Sequence, residues 1–156
     1  MKIYLAGPMT FIPQFNYPAF DKAAARLRAA GHTVFNPADN DRKQGYAAEI
    51  AANGGIVSMR LKRKIITDDL LWIINQADAI ALLPGWDGKT IPPAAELNPD
   101  ALPGLKCKWV ETRDGDIVSS NYRCTWDGSG GAKIEVALAD WLGGFAKIDI
   151  PREWIV

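Results

Sequence analysis

Cysteine and histidine are scarce in this chain of 156 residues: Cys107, Cys124 and His32 are all there are. Two thiols make no disulfide framework, and with one imidazole they cannot complete a four-ligand zinc site, so no metal-held or disulfide-held scaffold is expected. An excess of charge of one sign is also lacking. The 18 Lys and Arg balance 18 Asp and Glu, whereas chains that live on nucleic acid or an anionic membrane carry a basic excess or stripe. The single run of that kind is Arg60, Lys62, Arg63 and Lys64, which reads first as a solvated helix face. No apolar stretch approaches the ~18 residues of a membrane span. Met1 to Ala6 is a strand-like run closed by Gly7-Pro8, without the h-region of a secretory leader. The expectation is a cytoplasmic, metal-free protein with neither membrane nor nucleic acid as partner, and a neutral chain remains compatible with a small anionic substrate. Length favours one core over two, and 48% hydrophobic with 23% charged residues is ordinary for a globular chain.

Pattern along the chain alternates between strand and helix. Lys2-Ile3-Tyr4-Leu5-Ala6 reads as a buried first strand. A helix follows, with Asn16 at its cap, Pro18 in its first turn, and Phe20, Ala23, Ala24 and Leu27 at helical spacing before Gly31. His32 to Phe35 reads as a second strand, and the weak signal from Ala38 to Gly55 as an irregular loop. Ser58 caps the longest periodic segment, where Leu61, Ile65, Ile66, Leu70 and Ile73 recur to about Gln76. Ala77 to Leu83 is apolar on both alternating faces apart from Asp78, as in a strand between helix layers. A last helix runs from Gly130 to Trp141 and a last strand from Phe145 to Ile150. Such alternation implies an α/β protein, an open parallel sheet covered on both faces.

In such a sheet ligands bind beyond the carboxyl ends of the strands. Gly7-Pro8-Met9-Thr10 follows the first strand, where a glycine lets the backbone approach a ligand or merely makes a turn. Ser129-Gly130-Gly131 opens the last helix, whose free N–H groups and dipole favour an anion such as a phosphate; the same tripeptide also suits a flexible linker. Glu135 sits one turn inside that helix among Ile134, Val136, Ala137 and Leu138, so it either snorkels to solvent or is held inward for a purpose. Asp69 lies in Thr67 to Trp72, where a solvated face is the plain alternative. Two carboxyl groups flanking one bond are what nucleophilic glycoside cleavage requires.

Three ordered motifs carry a family resemblance: Ile3-Tyr4-Leu5-Ala6-Gly7-Pro8, then Asp69 through Asp78, then Ser129-Gly130-Gly131-Ala132-Lys133-Ile134-Glu135. Together they resemble the nucleoside 2-deoxyribosyltransferase superfamily, within it a branch of small bacterial and phage proteins and the 2′-deoxynucleoside 5′-monophosphate N-glycosidases. The resemblance implies a flavodoxin-like (Rossmann-like) three-layer fold, a homodimer, Glu135 as catalytic nucleophile with Asp69 as its partner, and Tyr4 and Gly7 lining the sugar and base pocket with Pro8 and Met9 beside them; Tyr4 is expected as the third catalytic residue, its hydroxyl bonding Glu135. It implies no cofactor. The position six residues before the glutamate separates branches: an acid there binds a free 5′-hydroxyl, serine a 5′-phosphate. Ser129 stands there, and a hydroxyl donor at a helix N-terminus suits a dianion that an acid would repel. Asp127 would counter this if it pointed inward.

The departure from the family pattern is an insertion from about Trp86 to Gly128, bracketed by Trp86-Asp87-Gly88 and Trp126-Asp127-Gly128. Its runs Lys106 to Thr112 and Ile117 to Trp126, around Asp114-Gly115, read as a β-hairpin that places Cys107 and Cys124 across from each other. With Trp86, Trp109, Tyr122 and Trp126 it suits a lid, a dimer contact, a docking surface or a decorated loop. The leading expectation is hydrolysis of the N-glycosidic bond of a nucleoside 5′-monophosphate, or base transfer by the same chemistry. The rivals are a protein that binds a nucleotide without cleaving it, and an interaction module built on the hairpin and the basic helix face.

Overall fold

The computed structural model describes residues 1–9, 12–87, 105–114, 117–126 and 130–156. In the first strand, β1 (Lys2–Ala6), every residue after Lys2 is buried, which a strand achieves only with a layer on each face. Its side chains alternate between two cores. Ile3 and Leu5 pack with Phe20, Ala23, Ala24 and Leu27 of helix α1 (Tyr17–Ala29). The opposite face, with Tyr4 and Ala6, packs with Ile73, Ala132, Val136 and Ala139. Gly31, left-handed at φ 86, ends the turn after α1 and lets the chain return into β2 (Thr33–Phe35).

The stretch expected as an irregular loop instead contains two short helices, α2 (Pro37–Lys43) and α3 (Tyr46–Ala52). Asn36 makes the first possible: its side chain accepts from the Ala38 N–H at 3.0 Å, with Pro37 at the first helical position. Neither helix has the apolar repeat that advertises longer ones, and packing of Ala38 and Ile50 holds them. Helix α4 (Met59–Gln76) begins as its sequence indicates, with Ser58 Oγ accepting from the Leu61 N–H at 3.2 Å. The basic residues Arg60, Lys62, Arg63 and Lys64 are exposed.

Strand β3 (Ala79–Leu82) is buried throughout. Asp78, at its amino end, accepts from the Lys2 backbone N–H at 2.7 Å, which assigns that carboxylate to fastening two strands. Strands β4 (Leu105–Asp114) and β5 (Ile117–Trp126) pair antiparallel as the expected hairpin, with Cys107 and Cys124 in register. Helix α5 (Gly130–Leu142), strand β6 (Ala146–Asp149) and a short 3-10 turn at Arg152–Trp154 follow. The main sheet has the order β2-β1-β3-β6 and is parallel at every pairing. With α1 on one face and α4 and α5 on the other, this is an α/β flavodoxin-like fold with three layers. Among the described residues no helix is long and apolar enough to cross a membrane.

Candidate active site

Because β6 runs parallel to β3, the helix between them must return the chain to the amino edge, so the N-terminal turns of α5 lie toward the carboxyl edge. Ala132, Val136 and Ala139 form the inward stripe of α5, and Glu135 shares it, only 8% exposed. Helix α4 turns Leu61, Asp69 and Ile73 inward at intervals of two turns and one. Asp69 is 4% exposed. The solvated-face alternative for these two carboxyls is therefore overturned. Tyr4 reaches the same core from β1 and is fully buried, its ring stacked on Phe35 at 5.4 Å and tilted against Trp72 at 6.3 Å.

These three polar groups come from three elements into one apolar setting, and their protonation reflects it. Burial raises both carboxyls above the ordinary range, Asp69 further because the neighbouring Glu135 and Asp41 charges add to it. Glu135 is pulled partly back by the Tyr4 hydroxyl. Tyr4 itself is held well above its ordinary value, by burial first and then by both carboxyls, so it stays neutral and able to donate. Its hydroxyl is near enough to act on each carboxyl, yet neither contact has the geometry of a made hydrogen bond: Tyr4 Oη and Asp69 Oδ1 are both buried and have no partner among the described residues. Buried polar atoms normally find partners, so two orphans in one buried cluster mark a place built for something other than folding.

A family model for a domain of unknown function, DUF4406, matches residues 1–90. The chain belongs to the DUF4406 family. That match takes in Tyr4, Gly7 and Asp69, while Glu135 lies beyond it. No curated protein and no solved structure matches the chain.

In this DUF4406 chain the loop after β1 serves packing in ways the sequence left open. A Cβ on Gly7 would meet the Leu83 Cβ at 2.7 Å, so the close approach that requires glycine is to Leu83. Pro8 is buried, and its carbonyl accepts from Asn16 Nδ2 at 2.8 Å. Asn16 thus stands at the N-cap place of α1 but caps nothing, because its left-handed backbone (φ 58) turns the side chain back onto the loop. Met9 packs against the α1-side core, on the other face of the sheet from Tyr4. Gly130 and Gly131 open α5 as expected; Ser129, Thr10 and Asp127 lie outside the described residues. Trp86, the first residue of the insertion, packs against the core that holds Tyr4.

Three further residues of the site escaped the sequence reading. Phe35 and Trp72, 5.0 Å apart, make the aromatic wall behind Tyr4; their signals were a strand-end aromatic and a tryptophan one helical turn past Asp69. Asp41 of α2 is 3% exposed, and its charge acts on Asp69. Tyr17 Oη donates to Asp41 Oδ2 at 3.0 Å, and the other carboxyl oxygen, Oδ1, is buried without a partner among the described residues. Among the described residues no group of three metal-ligating side chains converges.

Proposed function

We propose that this protein cleaves the N-glycosidic bond of nucleoside 5′-monophosphates, with Glu135 as nucleophile. The observation that carries the reading is the buried meeting of Glu135, Asp69 and Tyr4 from three elements, with Tyr4 Oη and Asp69 Oδ1 unpartnered among the described residues. The motifs around Tyr4, Asp69 and Glu135, which resemble nucleoside 2-deoxyribosyltransferases, support the same assignment.

In the first step a Glu135 carboxylate oxygen attacks C1′. The C1′–N bond breaks, its electron pair goes to the base nitrogen, and Asp69 delivers a proton there. Burial and the Glu135 and Asp41 charges raise the Asp69 carboxyl, which suits it to hold the proton it donates, and Glu135 is then the one to ionise. Neutral Tyr4 donates toward the Glu135 carboxylate and holds it in line. In the second step water attacks C1′ of the glycosyl ester, giving its proton to Asp69, and Glu135 leaves as carboxylate. Two displacements retain the anomeric configuration. A base in place of water gives transfer instead. Ser129, ahead of the α5 N-terminus, would take the 5′-phosphate, and the resemblance extends to a homodimer.

The test is incubation of the purified protein with nucleoside 5′-monophosphates and the matching free nucleosides, following free base by chromatography. Release from the monophosphates is expected, and Glu135→Gln should lower it by at least a thousandfold, the scale of losing a nucleophile. Undiminished release by the variant would remove Glu135 from the mechanism. One observation favours a second reading, binding without cleavage: burial that keeps protons on both carboxyls makes them donors and poorer nucleophiles. Tight nucleotide binding with no base release from the unaltered chain would select it.

A further inference from the structure

The sheet order β2-β1-β3-β6 places Tyr4 between two flanks: α2 follows the edge strand β2, and α5 leads into the opposite edge strand β6. Glu135 belongs to the α5 flank and Asp41 to the α2 flank. If the sugar carbon lies at Glu135 and the phosphate toward the start of α5, the base lies on the Asp69 side, where the Asp41 charge is near enough to act on Asp69. Asp41 is a carboxyl 3% exposed, one oxygen of which is held by Tyr17 at 3.0 Å while Oδ1 has no partner among the described residues.

Tyr17 is itself clamped. The Arg42 guanidinium lies 4.9 Å over its ring and is anchored in turn by Asp21 at 2.7 Å. Phe15 approaches the Tyr17 ring at 6.0 Å from a turn in which Gln14, Phe15 and Asn16 are all left-handed, a conformation that costs a non-glycine residue about 1–2 kcal/mol. Strain of that kind persists where surrounding contacts over-determine it, and here it sets the start of α1 and so the direction of the Tyr17 hydroxyl. The Asp41 carboxyl is thereby fixed before any ligand arrives.

We infer that Asp41 is a specificity-determining residue that accepts a hydrogen bond, through Oδ1, from an N–H on the edge of the substrate's base. This rests on the reading of the Glu135 and Asp69 site as one that binds nucleotides. Burial pushes Asp41 up only to about 6, so at neutral pH it is chiefly the carboxylate, an acceptor. A base edge without an N–H leaves that acceptor unpaired in an apolar setting, which a site of this kind discriminates against strongly.

The experiment measures equilibrium binding to the non-cleaving Glu135→Gln protein, with two pairs of ribonucleoside 5′-monophosphates. The first pairs adenosine with unsubstituted purine riboside, and the second pairs cytidine with its analogue lacking the 4-amino group. In the pair whose ring the site accepts, the amino-bearing nucleotide should bind about tenfold tighter or more. Adding Asp41→Asn should reduce that preference to less than about threefold, since Tyr17 then holds the amide oxygen and an NH2 faces the base. Tyr17→Phe, which keeps the carboxyl but frees it, should reduce it part-way and covers the case in which the Asp41 variant fails to fold. Equal affinity within both pairs, or a preference that survives Asp41→Asn, overturns the inference while leaving the glycosidase reading intact. A preference that depends on Asp41, without base release by the unaltered chain, overturns the glycosidase reading alone. No binding of any of the four nucleotides overturns both.

Discussion

Asp69 is where stability and function pull in opposite directions. Its carboxyl is raised from 3.8 to about 9 in the folded chain, so folding favours the protonated form. A group shifted upward contributes its stabilisation fully below its unfolded pKa and loses it as pH rises through the folded value. The native chain should therefore weaken between about pH 4 and about pH 9 as an increasingly charged unfolded state competes. Asp69→Asn keeps the neutral shape and removes that penalty. By urea unfolding the variant should be more stable than the native chain near pH 8, with the gap closing near pH 4. A variant less stable at both pH values would show that the Asp69 carboxyl is satisfied in the fold. The burial that makes this test possible was not legible in the sequence, where Asp69 sits next to Asp68 and nothing separates the two. Helix geometry separates them: Asp69 turns inward, whereas Asp68 is half-buried and accepts from Tyr46 Oη at 2.9 Å.

Elements with a strong repeat were readable, and those without one were not. Helices α1, α4 and α5 follow the apolar spacing of Phe20 to Leu27, Leu61 to Ile73, and Ala132 to Ala139. Their bounds fall within a residue or so of Asn16, Gln76 and Trp141. Helix α2 is seven residues of mostly polar sequence, held by the Asn36 cap and by Arg42 and Arg28 pairing with Asp21 and Asp39, at 2.7 to 3.2 Å. The Arg28–Asp39 and Arg42–Asp21 pairs join residues 11 and 21 apart, so no local pattern announces them. Asp41 was missed with the helix that carries it. The loop after β1 gives an element-scale test. A methyl at Gly7 collides with Leu83 at 2.7 and 2.8 Å, whereas Gly31 has open space and only a positive φ. Gly7→Ala should cost about 1–3 kcal/mol through overpacking, and Gly31→Ala about 1 kcal/mol through backbone strain. Thermal unfolding that leaves Gly7→Ala within ~0.5 kcal/mol of the native chain would mean that β1 and Leu83 separate easily.

Across the whole molecule, one parallel sheet collects chemistry that is scattered along the chain. Tyr4 stands near one end of the sequence and Glu135 near the other, and the order β2-β1-β3-β6 brings their elements side by side, with the β4–β5 hairpin inserted in the chain between β3 and α5. The three-layer arrangement was legible because buried strands at Ile3 to Ala6 and Ala79 to Leu82 alternate with amphipathic helices. Convergence of the two carboxyls was not, since spacing along a chain says nothing of distance across a sheet. The most direct measurement is intact-protein mass spectrometry after rapid quench with a 2-fluorinated sugar nucleotide, a substitution that slows release of a glycosyl ester. The account predicts a mass increase of one glycosyl phosphate, mapped to the α5 peptide at Glu135 and absent in Glu135→Gln. Base release with no adduct, or an adduct on another residue, would contradict it.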